Sequence, residues 1–81
     1  MKTVDEKYGY NKSRNTEFSN GYVLGVTLYR DYLKGDSSWK RTVSDIIDTN
    51  SRLAKTGDIM SKGFMCAIRD CANERKAKAK R

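Results

Sequence analysis

Histidine and proline are both absent from the chain, and only two cysteines occur. Without histidine the usual general base near neutral pH is missing. Neither a Ser-His-Asp nor a Cys-His arrangement can be built. A zinc site generally needs four nitrogen or sulfur ligands, which Cys66 and Cys71 alone do not supply. Thr56-Gly57-Asp58 lacks the glycine spacing and the lysine of a phosphate-binding loop. No apolar run approaches the roughly 20 residues that span a bilayer. Met1-Lys2-Thr3-Val4-Asp5-Glu6 contains no signal-peptide core. These absences point away from an enzyme, and predict no cofactor, no metal and no membrane. A tyrosine- or lysine-based activity stays open, although no residue pattern points to one.

The two cysteines lie five residues apart in a stretch with helical character. Five residues turn a helix by roughly 140°, so the thiols diverge and cannot bridge within it. Reduced thiols of an intracellular protein are the expectation. At 81 residues the chain makes one domain. A domain of this size buries only about 60% of its unfolded surface. Oligomerisation, or ordering on a partner, is a natural supplement.

Positive charge is abundant. The net charge is +7, and it is uneven: residues 1–18 carry +1, residues 19–57 carry +2 and residues 58–81 carry +4. A field of this sign draws polyanions, nucleic acid first among them. An acidic protein surface would feel it equally.

Periodicity predicts an all-α fold: a small three-helix domain over residues 19–74, an irregular N-terminal arm over 1–18 and a basic tail over 75–81. The arm, with Tyr8-Gly9-Tyr10 and Asn11-Lys12-Ser13-Arg14-Asn15, reads as turn chemistry. The first helix is expected over about residues 20–34, with Ser19 or Asn20 as N-cap. Tyr22, Leu24, Gly25, Val26, Leu28, Tyr29, Tyr32 and Leu33 share one broad arc of it. A strand is the rival there, since Tyr22-Val23-Leu24-Gly25-Val26 is rich in strand formers. The run through Leu33 does not alternate, however, and helix is preferred.

Gly35 reads as a left-handed stop, followed by a second helix over about residues 39–55. Trp39, Val43, Ile46, Ile47, Leu53 and Ala54 make the cleanest apolar stripe in the chain, and Asn50 falls within it needing a partner. Gly57 repeats the stop. Ser61 is the expected N-cap of the third helix, with Met60 and Met65 as a hydrophobic staple. That helix is expected to bury Phe64, Met65, Ile68, Cys71 and Ala72, and to turn Cys66, Arg69, Asp70 and Asn73 outward. The Ala-Lys stretch after Glu74 is expected to fray. No internal repeat is evident.

Five of the last seven residues are basic and none is acidic, a composition able to follow a phosphate backbone. A merely solubilising tail has the same composition. The candidate nucleic-acid contacts are Arg75, Lys76, Lys78, Lys80 and Arg81, supported by Lys62 and Arg69 on the same helix and by Lys40 and Lys55 on the one before it. Tyr8 and Tyr10 are candidates to stack on unpaired bases, against the plainer reading that they pack on the helices. Asp45 and Asp48 sit beside Arg41 and Arg52 at helical spacing, as a solvated face with weak ion pairs would. The wide arc of the first helix is either covered by two neighbours or docks on a second chain, so a homo-oligomer is one expectation. A helix-turn-helix offers only Lys62 early in its reading helix, which makes DNA a weaker expectation than RNA.

The stretches 18–33 and 60–71, beginning Phe18-Ser19-Asn20-Gly21-Tyr22 and Met60-Ser61-Lys62-Gly63-Phe64, sit in a short basic chain without histidine or proline. In this layout the chain resembles the small early proteins of T-even-like bacteriophages, and among them inhibitors of a toxin endoribonuclease. The resemblance implies a bacterial cytoplasmic setting and a host toxin, or another host protein, as partner, with RNA taking part. It carries no functional residue with it. The resulting expectation is an RNA-binding regulatory protein of low sequence preference that inhibits a host-defence factor. A protein-only binder of an acidic host protein and a DNA-binding helical protein are the alternatives.

Overall fold

The computed structural model describes residues 3–79 and is all-helical over them. Four helices follow one another: α1 (Val4–Lys12), α2 (Glu17–Lys34), α3 (Ser37–Lys55) and α4 (Ile59–Ala79). The all-α expectation holds, but there is one helix more than the three expected. The expected irregular arm over 1–18 instead holds α1, and its residues 17 and 18 begin α2. The apolar positions of α1 are too few to show a period, yet its ends are well marked. Thr3 caps it by accepting from the Glu6 amide at 3.2 Å, within a Thr-x-x-Glu sequence of capping-box type. Asp5 and Glu6 occupy its first turn and Lys12 its last, the favourable arrangement for the helix dipole. Long-range contacts hold it in place: the Val4 amide donates to Glu74 at 3.3 Å, and Lys7 pairs with Asp70 at 3.3 Å.

The remaining boundaries also shift, each for a capping reason. Thr16, not Ser19 or Asn20, caps α2 by accepting from the Ser19 amide at 3.1 Å. Gly35 ends α2 without a left-handed turn, at φ −84°; the Trp39 indole lies against it where a Cβ would stand. Asp36 caps α3 through the Trp39 amide at 2.9 Å. Gly57 does take positive φ, +101°. Its amide reaches Ala54 O and the Asp58 amide reaches Leu53 O, both at 3.2 Å, which is a Schellman closure. Asp58 then caps α4 by accepting from the Ser61 amide at 2.9 Å, and hydrogen bonding to Ser61 holds its carboxyl below the usual range. Ser61 and the Met60/Met65 staple are therefore not the start of this helix. Ser61 is buried inside it. At the far end α4 stays helical through Ala79, with Lys78 paired to Glu74 one turn back at 3.6 Å.

A repeat invisible in the raw sequence organises these helices. Ser19 and Ser61 are both buried. Ser19 Oγ donates to Asn11 Oδ1 at 2.8 Å, and Ser61 Oγ donates to Asn50 Oδ1 at 3.0 Å. Each asparagine in turn donates to the carbonyl four residues back, Lys7 or Ile46, at 2.8 Å. Val4 and Val43, each seven residues before its asparagine, are both buried. The chain thus builds one helical hairpin twice, α1–α2 and α3–α4, each joined by the same Asn–Ser clasp. Asn50 finds in Ser61 the partner that its place in the apolar stripe requires.

The hairpins meet where α2 crosses α4, and there the backbones touch. A Cβ on Gly21 would fall on the carbonyl oxygen of Met60, beside the Phe64 amide; a Cβ on Gly63 would fall on the carbonyl oxygen of Phe18, beside the Tyr22 amide. The relation is reciprocal, as a local two-fold axis between the hairpins would make it. One turn on, a Cβ on Gly25 would lie 2.7 Å from that of Ala67 and 2.8 Å from Phe64 O. Around this crossing lie the buried Tyr22, Val26, Tyr29, Ala67 and Cys71, with Val4 over them from α1.

The crossing should be intolerant of a single methyl group. Gly63→Ala is expected to lower unfolding stability by about 1–3 kcal/mol, as overpacking does. Gly9→Ala, in open space within α1, should raise it by about 0.5–1 kcal/mol. Urea denaturation of both variants checks this; a neutral Gly63→Ala would contradict the backbone contact.

Candidate nucleic-acid interface

The face of α4 that lies away from α2 is cationic. At roughly 100° per residue, Lys62, Arg69, Asn73 and Lys76 fall within an arc of about 60°. Phe64, Ala67 and Cys71, buried against α2, lie on the opposite side. Lys62, Arg69 and Lys76 are all exposed, and their seven-residue steps place them about 10.5 Å apart along the helix. Among the described residues, Lys62 and Lys76 pair with no carboxylate, whereas Arg69 lies 3.8 Å from Asp70. Lys80 and Arg81 lie outside the described residues.

Asp70 is largely spent inside the fold. Its Oδ2 accepts from the Tyr22 hydroxyl at 2.8 Å and from Lys7 at 3.3 Å, and its side chain is only 15% exposed, not outward as expected. Burial, reinforced by the bond to Asp70, pushes the Tyr22 hydroxyl pKa up. Asp5 is likewise occupied by Arg30, whose guanidinium holds that carboxyl below its ordinary range, and Glu74 by Lys78 and the Val4 amide. Asp70, Asp5 and Glu74 are thus used within the fold, tying α1 to α2 and α4, which leaves the outer stripe positive.

The other candidate residues separate from this stripe. Arg75 and Lys78 turn toward a cleft of about 420 Å³ between α1, α2 and α4, where Asp5 and Glu74 also lie and Tyr29, Leu33 and Cys71 form apolar wall. The acids there offset much of the local positive charge. Lys40 extends over the Tyr32 ring at 5.8 Å, and Lys55 stands exposed in the last turn of α3. Tyr8 packs half-buried against the core with Lys12 over its ring. Tyr10 is 52% exposed, and Arg14 lies over its ring and bonds its hydroxyl. Sequence reasoning found the basic residues but not their division between stripe and cleft, which depends on the face that Gly63 and Ala67 turn toward α2.

Among the described residues no cluster of three metal-ligating side chains occurs, and no helix is long and apolar enough to cross a membrane. Cys71 is buried, and burial pushes its thiol up to about 11, so at neutral pH it is a protonated packing group. Over the described residues the chain forms four helices arranged as two repeated hairpins, and it is basic. Compared with family models, curated proteins and solved structures, it matches none.

The two thiols should differ sharply in reactivity. Cys66 is partly exposed and Cys71 buried, so a thiol reagent at pH 7.5 is expected to label Cys66 first and Cys71 only on unfolding. Equal labelling rates in the native protein would contradict the packing of α4.

Proposed function

We propose that this protein binds RNA through the outer face of α4, with Lys62, Arg69 and Lys76 contacting phosphates and the cations that follow α4 in the sequence, Lys80 and Arg81, adding to them. Low sequence preference follows from the chemistry, since lysine and arginine on a smooth helix meet the backbone rather than base edges. One observation carries the reading. The two hairpins share their packing residues but not their surface: where α4 has Lys62, Arg69 and Lys76, the equivalent positions of α2, 42 residues earlier, hold Asn20, Thr27 and Lys34. Packing does not require the extra cations, because the same contact is made on α2 without two of them. Their presence on one hairpin alone favours a polyanion partner.

The resemblance to phage inhibitors of toxin endoribonucleases supplies the biological end of the proposal. In that role the protein would neutralise an RNA-cleaving host-defence factor while holding RNA on α4. Arg75 and Lys78 belong to the cleft and contribute less to phosphate binding than their place in the basic run suggests.

Fluorescence polarisation with a single-stranded RNA of about 20 nucleotides tests the reading across a salt series. Each neutralised phosphate adds about 0.7 to the slope of log affinity against log salt for single strands. Substituting Lys62, Arg69 and Lys76 by alanine together should flatten that slope by about 2, while Lys34→Ala with Arg41→Ala should leave it within error. An unchanged slope in the triple variant would overturn the assignment. Tight stoichiometric capture of an acidic protein without RNA binding would favour the protein-only alternative.

A further inference from the structure

The helix α3 carries an apolar edge that its own fold does not cover. Val43 is the only fully buried residue on it. Beside the buried line run Trp39, Thr42, Ile46, Thr49, Leu53 and Thr56, spaced by the alternating three- and four-residue steps of a coiled-coil seam. Trp39 is 38% and Leu53 44% exposed, Ile46 is half-buried, and the three threonines are exposed. Exposed threonines would ordinarily spoil such a seam by losing water on burial. Here each hydroxyl already donates to a carbonyl of its own chain: Thr42 to Ser38 at 3.2 Å, Thr49 to Asp45 at 3.0 Å, Thr56 to Leu53 at 2.7 Å. Covering the seam therefore strands no hydroxyl donor.

Its flanking charges select the occupant. Asp45 and Arg52 each precede a seam residue by one position, on the side away from the buried Val43. Both are exposed, and among the described residues neither makes an ion pair. On the opposite flank Val43 and Asn50 face the protein's own core. Antiparallel packing of two such helices brings like flanks together, so that Asp45 meets the partner's Arg52, and the two-fold repeats the pair. Parallel packing would set Asp45 and Arg52 against Val43 and Asn50 and leave both charges unmatched.

We propose that the Trp39–Ile46–Leu53 edge of α3 is a homodimer interface, closed by α3 of a second copy running antiparallel and locked by two reciprocal Asp45–Arg52 ion pairs. The occupant is a second copy because the seam and its flank are self-complementary: one surface supplies both the acid and the base that it needs. The interface moves the expectation of self-association from the broad arc of α2 to α3. It stands independently of RNA binding, which uses α4.

Sedimentation equilibrium over micromolar to millimolar concentration tests this, with fluorescence of the single tryptophan, Trp39, as a second readout. The wild type should show a monomer–dimer equilibrium, with a blue shift of Trp39 emission as dimer forms. Asp45→Arg and Arg52→Asp should each weaken the dimer at least 10-fold, about 1.4 kcal/mol. The double exchange D45R/R52D should return to within about 3-fold of wild type. Mixing the two single variants should give a heterodimer, since one then carries two bases and the other two acids. Circular dichroism of each variant separates loss of dimer from loss of fold, and both substitutions lie on exposed positions. A wild type that stays monomeric throughout, folded single variants that dimerise as wild type does, or a folded double exchange that fails to recover would each overturn the proposal.

Discussion

Gly21 and Gly63 let two helix backbones touch, and most of the molecule follows from that contact. Each glycine lies against the main-chain groups that bracket the other glycine on the opposing helix, the Met60 carbonyl and Phe64 amide around Gly63 or the Phe18 carbonyl and Tyr22 amide around Gly21. Interaxial distance depends on the side chains at the crossing, and here there are none to hold the axes apart. The approach sets which side of α4 is inside. Phe64, Ala67 and Cys71 turn toward α2, and Lys62, Arg69 and Lys76 are thereby turned out. A bulkier pair of residues at the crossing would separate the hairpins and open the small core around Val26 and Ala67.

The two hairpins show how a shared scaffold and a separate surface can occupy the same helix. Both use an Asn–Ser clasp beside the turn that joins their helices and a small residue pair at the crossing. In both, the helix at the crossing turns its other face outward. On α2 that outer face is mixed, whereas on α4 it is cationic and little of it is matched by acids of the same fold. Asp70, Asp5 and Glu74 are occupied in joining α1 to the rest. Positive charge is concentrated not only by the basic residues present but also by where the carboxylates are used.

Much of the architecture was legible in the sequence, and the gaps have physical reasons. The long helices were readable because Val43, Phe64 and Tyr22 recur with apolar neighbours at helical spacing, and Asn50 was visible as a polar group needing a partner. α1 escaped because a nine-residue helix held by Val4, Tyr8 and Asn11 offers too few apolar positions to make a period. Its signal lay in Thr3 and Glu6, where capping rather than hydrophobicity marks the start. The repeat escaped because its equivalences are 39 residues apart in α1 and α3 but 42 apart in α2 and α4, and because Tyr22 is matched by Phe64 and Gly25 by Ala67. Serine misled twice. Ser19 and Ser61 look like caps in the sequence, yet both lie inside a helix with their hydroxyls given to asparagine. Gly35 misled for a related reason, since its role is to admit the Trp39 ring rather than to take a left-handed turn. For the candidate site, the basic residue types were legible, and their sorting into stripe and cleft was not, because it depends on the direction that Gly63 imposes on α4.

The central claim, that α2 and α4 meet backbone to backbone, is open to direct observation by NMR of the intact chain. Strong nuclear Overhauser effects are predicted from the Gly21 α-protons to the Phe64 amide proton and from the Gly63 α-protons to the Tyr22 amide proton. Both must appear together, because the contact is reciprocal. Helices that are folded but show neither cross-peak would contradict the crossing, and with it the outward placement of the α4 cations.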